Sequence, residues 1–255
     1  MSSKPSFVFV PGAWHAASTW SKVTALLESQ GYTTTSVTLP TTEGTATASF
    51  GDDVKATQDA IKSQTSSGSD VALVHGGVVG QSAMKGFTKS SSNGLKEGEG
   101  HIIGLIVIAS GYAQPGMAFL DGTGGTPPPT WRLAESGFAE LNVPARALFY
   151  DDLPEAEGEK WASGLTKQSS KAFTEGGEVA YPGWKDVPVW HLLTMEDKAL
   201  PVDVQRMLVD MVQGTADVTV REMASSHSPM LSRPEEVVEF ILDASKALTK
   251  TRDTL

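Results

Sequence analysis

Two loops carry the residue types that base catalysis needs. Thr194-Met195-Glu196-Asp197-Lys198-Ala199-Leu200-Pro201 follows an apolar run from Val187 and opens a helical pattern, so its carboxylates project at the carboxyl end of a strand. After one more helix and one more strand, Ser225-Ser226-His227-Ser228-Pro229-Met230-Leu231-Ser232-Arg233-Pro234 presents a histidine. An imidazole takes the proton from an attacking hydroxyl, and a buried carboxylate fixes its tautomer and stabilises the imidazolium that forms. The alternative for the carboxylate is a helix cap, and a lone histidine in a loop is usually a surface residue.

A third stretch, Val71-Ala72-Leu73-Val74-His75-Gly76-Gly77-Val78-Val79-Gly80-Gln81-Ser82-Ala83, reads as an apolar strand, a glycine turn and an apolar helical stretch. The glycines suit a crowded, strained hinge between strand and helix. Ser82 is the only hydroxyl close after it, and it falls within the helical stretch rather than on the turn. Pro11-Gly12-Ala13-Trp14-His15 forms another turn, after the first apolar run. His75 closes the hinge strand and reads as structural, while His101 and His191, at the start of a strand and within one, receive no role.

The elements that position these loops alternate. Continuous apolar runs at 6–10, 71–75, 101–109 and 187–194 suit strands buried on both faces of a parallel sheet. Weaker strands are expected at 33–39 and 217–222. Helices are expected from Ser18 or Thr19 to Gly31, over 52–62, from the hinge to about residue 88, over 202–212 and over 234–248, with a frayed tail after 247. Pro234, Glu235 and Glu236 give the last helix a favourable start. Such alternation predicts an α/β fold with a mostly parallel sheet and right-handed crossovers, binding its ligands beyond the carboxyl ends of the strands. Residues 89–100 read as a Ser-, Gly- and Lys-rich surface excursion, and from Gly111 the rhythm breaks for about seventy residues of short, several of them helical, elements.

Together these stretches resemble an α/β-hydrolase of the small plant-esterase and hydroxynitrile-lyase branch and its fungal relatives. The acid loop is similar to that group's Thr-x-x-Asp followed shortly by Pro, which selects Asp197 over Glu196. The second loop is similar to its His-x-x-Met-Leu-Ser-x-Pro, and the order nucleophile, acid, base makes His227 the base. Pro11-Gly12-Ala13 resembles the His-Gly-Ala loop whose amide donates to the oxyanion, with Ala13 at the donor position and Pro11 in place of His. Losing one oxyanion donor typically costs ~10²–10³ in rate, so the Ala13 amide outweighs the side chain at 11. At the hinge the group reads His-Ser-x-Gly-Gly, whereas this chain runs from His75 straight to Gly76 and Gly77 with no serine between. Gly76 or Gly77 is left as the second oxyanion donor. Trp14 and His15, and from the other side Tyr112 and Trp131, stand as pocket residues, with core packing an equal alternative. The resemblance implies a helical cap at 113–183 on a hydrolase core formed by 1–112 and 184–255.

The activity it implies is serine-hydrolase-type cleavage of a small ester or lactone, through an acyl-enzyme on a serine that belongs between His75 and Gly76. Taken literally, the chain instead offers a His227–Asp197 dyad for a lyase, isomerase or cofactor-free oxygenase, or a pocket that only binds a small ligand. No cofactor is expected, since no phosphate loop, paired-carboxylate site or metal-ligand spacing appears. The 255 residues suit one large domain, the net charge of −10 argues against nucleic acid and anionic membranes as partners, and the absence of cysteine suits a reducing, cytoplasmic setting. No leader or membrane span is read, and a monomer or homodimer acting on a small molecule is the expectation.

Overall fold

The computed structural model describes residues 4–91 and 98–254. The first half of the chain carries strands β1 (Ser6–Val10), β2 (Thr34–Ser36), β3 (Val71–His75) and β4 (Ile102–Ile108), and helices α1 (Ser21–Ser29), α2 (Phe50–Thr65) and α3 (Val79–Ala83). An insertion follows with β5 (Trp131–Leu133), β6 (Phe138–Leu141), α4 (Ala145–Phe149), α5 (Glu155–Ser163), β7 (Gln168–Ser169) and α6 (Lys171–Thr174). The chain ends with β8 (Val189–Thr194), α7 (Val202–Val212), β9 (Val218–Met223), α8 (Pro229–Ser232) and α9 (Pro234–Thr254).

Six of the strands form one parallel sheet in the order β2-β1-β3-β4-β8-β9. Every residue of β1, β3 and β4 is buried, as unbroken apolar strands between two helical layers require. Phe7, Phe9, Trp20, Leu27 and Phe240 pack on one face, and Val8, Val10, Leu73, Val54, Ile61 and Val209 on the other. The loops that leave β1, β3, β4, β8 and β9 therefore meet at one edge of the sheet.

Several boundaries differ from the sequence expectation for local reasons. Helix α2 starts at Phe50, not 52, because Ser49 and Asp52 close a capping box. The helix after the hinge stops at Ala83 instead of residue 88, and Gly86, with φ of 89°, turns the chain shortly after. Beyond residue 247 the chain is helical to Thr254, with Leu248 buried against the sheet rather than frayed. The expected 89–100 excursion lies partly outside the described residues. The insertion holds a three-stranded antiparallel sheet, β5-β6-β7, as well as short helices. Its hairpin turns at Ala134 to Gly137, and Gly137 supplies the positive φ of 81°.

Gly104 lies where α9 crosses β4, and a Cβ there would sit 2.2 Å from Leu248 Cδ2. Gly104→Ala should lower the unfolding free energy by about 1–3 kcal/mol through overpacking. Urea denaturation with an unchanged midpoint would contradict that close packing.

Candidate active site

The carboxylate of Asp197 is buried and accepts from five donors. The Ala199 and Leu200 amides, both at 2.8 Å, bond to Oδ1, while Thr194 Oγ1 at 2.8 Å, Gln205 Nε2 at 3.2 Å and His227 Nδ1 at 2.8 Å share Oδ2. Burial alone would raise its pKa, but the His227 charge and these bonds outweigh it and hold the carboxyl below its usual value. Gln205 is itself fully buried and bonds to the Thr194 amide, hydroxyl and carbonyl and to the Leu200 carbonyl. It thereby fixes the end of β8 to the start of α7.

Since Nδ1 of His227 donates to Asp197, Nε2 is the nitrogen left as a base. Burial pushes the imidazole pKa down, and the Asp197 charge and hydrogen bond more than reverse this, so the group ends above its ordinary 6.5. The Phe149 ring lies 5.4 Å from the imidazole. Both loops are tied to the turn after α4. Asp152 Oδ2 accepts from the Ser226 amide at 3.0 Å and the Ser232 hydroxyl at 2.7 Å. Asp151 pairs with Lys198 and accepts from the Ser226 hydroxyl. One two-residue turn thus braces the neighbours of both Asp197 and His227.

The turn after β1 is held with equal care. His15 N bonds to Gly12 O at 3.3 Å, and Trp14 takes a φ of 62°, a strained value for a bulky side chain. The strain is supported by a buried relay: Trp14 N donates to Gln168 Oε1, Gln168 Nε2 to Thr41 Oγ1, and Thr41 to Asp53. Burial pushes the Asp53 carboxyl up to about 6 in spite of those bonds. His15 Nδ1 lies 2.6 Å from Ala13 O, so it carries the proton, and Nε2 accepts from the Tyr150 hydroxyl at 2.8 Å. Burial, aided by the nearby His227, brings the His15 pKa to about 4 and keeps the ring neutral. Ala13 N has no protein acceptor among the described residues.

A cavity of about 20 Å³ lies among these loops, lined in part by Gly12, His15, Thr19, Gly76, Ala109 and His227. The other anticipated residues are placed differently. The Gly76 amide bonds to Val10 O at 3.2 Å and the Gly77 amide to His75 Nδ1 at 3.2 Å, so both donors are engaged. Trp14 and Trp131 stack with Phe149 and Phe173 in an aromatic cluster, and Trp14 Nε1 bonds to Ala139 O. Tyr112 packs on Trp184 and bonds to His191 Nδ1 on the α2 side of the sheet. Ser82 lies in α3, donating to Val78 O and accepting from Tyr181 N. Gln168, Gln205, Asp151, Asp152 and Tyr150 were not singled out from the sequence. Only Gln205 left a signal there, a polar residue on the stripe of α7 that buries Val209 and Val212. Among the described residues no group of three His, Cys, Asp or Glu could hold a metal ion, and no helix is long and apolar enough to cross a membrane.

Because the Asp197 charge is what raises His227, the imidazole should titrate above 6.5 by NMR and be neutral, hence basic, only on the alkaline side of that midpoint. In Asp197→Asn the midpoint should move to lower pH. An unchanged midpoint would show that the carboxylate is not what sets the base.

Comparison with known proteins identifies the family and the fold. The model of the alpha/beta hydrolase family matches residues 7–240. An alpha/beta hydrolase, nvfD, of Aspergillus novofumigatus is 26% identical over 252 residues, covering 95% of this chain and 97% of its own. A methylesterase from Arabidopsis superposes with a TM-score of 0.72 at 22% identity, covering 95% of this chain and 99% of that one. A pyrethroid hydrolase from Sphingobium faniae gives a TM-score of 0.71 at 18% identity over 95% and 98% of the two chains. With a family match that spans nearly its whole length, the chain belongs to the alpha/beta hydrolase family.

Proposed function

We propose that this enzyme hydrolyses a small carboxylic ester or lactone, with His227 as general base, Asp197 as the group that orients it and the Ala13 amide as an oxyanion donor. The observation that carries the reading is the 2.8 Å bond from His227 Nδ1 to a buried carboxylate, which leaves Nε2 basic on a residue that lines the cavity. Structural likeness to a methylesterase and a pyrethroid hydrolase supports an ester as the substrate class.

The acyl-enzyme route depends on a serine between His75 and Gly76, and the chain has none. Ser82 does not replace it, since its hydroxyl is used within α3 and by Tyr181. Direct attack by water is the route these residues support. His227 Nε2 takes a proton from water while the oxygen bonds to the carbonyl carbon, and the Ala13 N–H receives the charge that develops on the carbonyl oxygen. Collapse then breaks the bond to the alcohol oxygen, which leaves with the proton from His227. The same lack of a hydroxyl also suits a second reading, proton abstraction from carbon by the dyad in a lyase or isomerase.

A short-chain ester such as p-nitrophenyl acetate tests the proposal. His227→Ala should reduce kcat/KM by ~10²–10⁴, the range that general base catalysis supplies. Undiminished hydrolysis by that variant would refute it.

A further inference from the structure

We infer that Thr19 and Trp20 hold the water molecule that attacks the substrate, an inference that rests on the ester-hydrolase reading. The two residues end a 3-10 turn, Ala17–Trp20, and both line the cavity that also touches Gly12, Gly76 and His227. Thr19 is 4% exposed and Trp20 0%, yet Thr19 Oγ1 and Trp20 Nε1 have no hydrogen-bond partner among the described residues. A buried polar group left unpaired costs ~1–3 kcal/mol, so two of them against one cavity point to an occupant that pairs with both. An indole N–H only donates, which makes the occupant an acceptor, and a threonine hydroxyl serves as donor or acceptor.

Size narrows the choice. The cavity measures about 20 Å³, against the ~10–15 Å³ that one buried water needs. A single water therefore fits, and a substrate acyl group does not. In that position the oxygen accepts from Trp20 Nε1, gives one O–H to Thr19 Oγ1 and the other to His227 Nε2. Its remaining lone pair is then free to attack. As the new bond to the carbonyl carbon forms, the proton facing His227 passes to Nε2 and later leaves with the alcohol, so every atom is accounted for. Gly76 has a part in this too, since an elbow without a side chain leaves the space open. The water takes the place of a protein hydroxyl.

The test combines kinetics with diffraction. Thr19→Val keeps the shape and removes the hydrogen bond, and it should lower kcat for p-nitrophenyl acetate on the order of ten- to hundredfold with KM little changed, as misplacement of a reacting group does. Thr19→Ser should restore most of the rate, and both variants should melt as the wild type does. A crystal structure of the ligand-free wild type should show an ordered water within hydrogen-bond reach of Thr19 Oγ1 and Trp20 Nε1. An active wild type whose rate Thr19→Val leaves intact, or a site with no water density, overturns the water site alone. A wild type inactive toward the ester overturns the hydrolase reading and, with it, the role of the water.

Discussion

The site depends on the ionised carboxylate of Asp197 staying buried. A charge out of water is tolerated only when its lone pairs are filled, and here five donors fill them. Four of those donors, from Thr194, Ala199, Leu200 and Gln205, belong to the end of β8, the following loop and α7. The fifth is His227, so the imidazole is positioned by the same requirement that makes the carboxylate possible. Removing any one donor would loosen a network, not a single contact. The turn at Asp151 and Asp152 extends this bracing into the insertion, since it holds Ser226, Ser232 and Lys198 on either side of the dyad.

The turn after β1 solves a different problem by the same means. Its strained Trp14 backbone is supported by Gln168, Thr41 and Asp53, residues from three separate parts of the chain. Engaging the Trp14 amide in that relay leaves the amide of Ala13 without a protein acceptor among the described residues. On the elbow the situation is reversed: the Gly76 and Gly77 amides turn inward, to Val10 and His75. This hydrolase scaffold therefore carries no hydroxyl on the hinge between His75 and Gly76, and in the proposed mechanism solvent is the reactant on which His227 acts.

Much of this was legible in the chain. Buried parallel strands announce themselves as unbroken apolar runs, and β1, β3, β4 and β8 all lie where such runs occur. Asp197 and His227 were singled out by the resemblance of their loops to a known family, not by residue type alone, and the structure brings the two side chains to 2.8 Å. Residues that act through long-range pairing were not legible. Gln168 reaches Trp14 across 154 positions and Asp152 reaches Ser226 across 74, and no local pattern marks either. The three-stranded sheet of the insertion escaped for a related reason, its strands being too short for alternation to show. Trp14, Trp131 and Tyr112 show the limit of residue type as a guide, because an aromatic side chain suits a packed cluster as well as a pocket wall.

The most direct test of the account is the intact mass of the chain quenched during turnover of p-nitrophenyl acetate. Water attack assisted by His227 predicts the mass of the unmodified 255-residue chain at every time point, while product accumulates. A population heavier by one acetyl group, formed and consumed at the rate of turnover, would contradict it and would show that a protein nucleophile carries the acyl group.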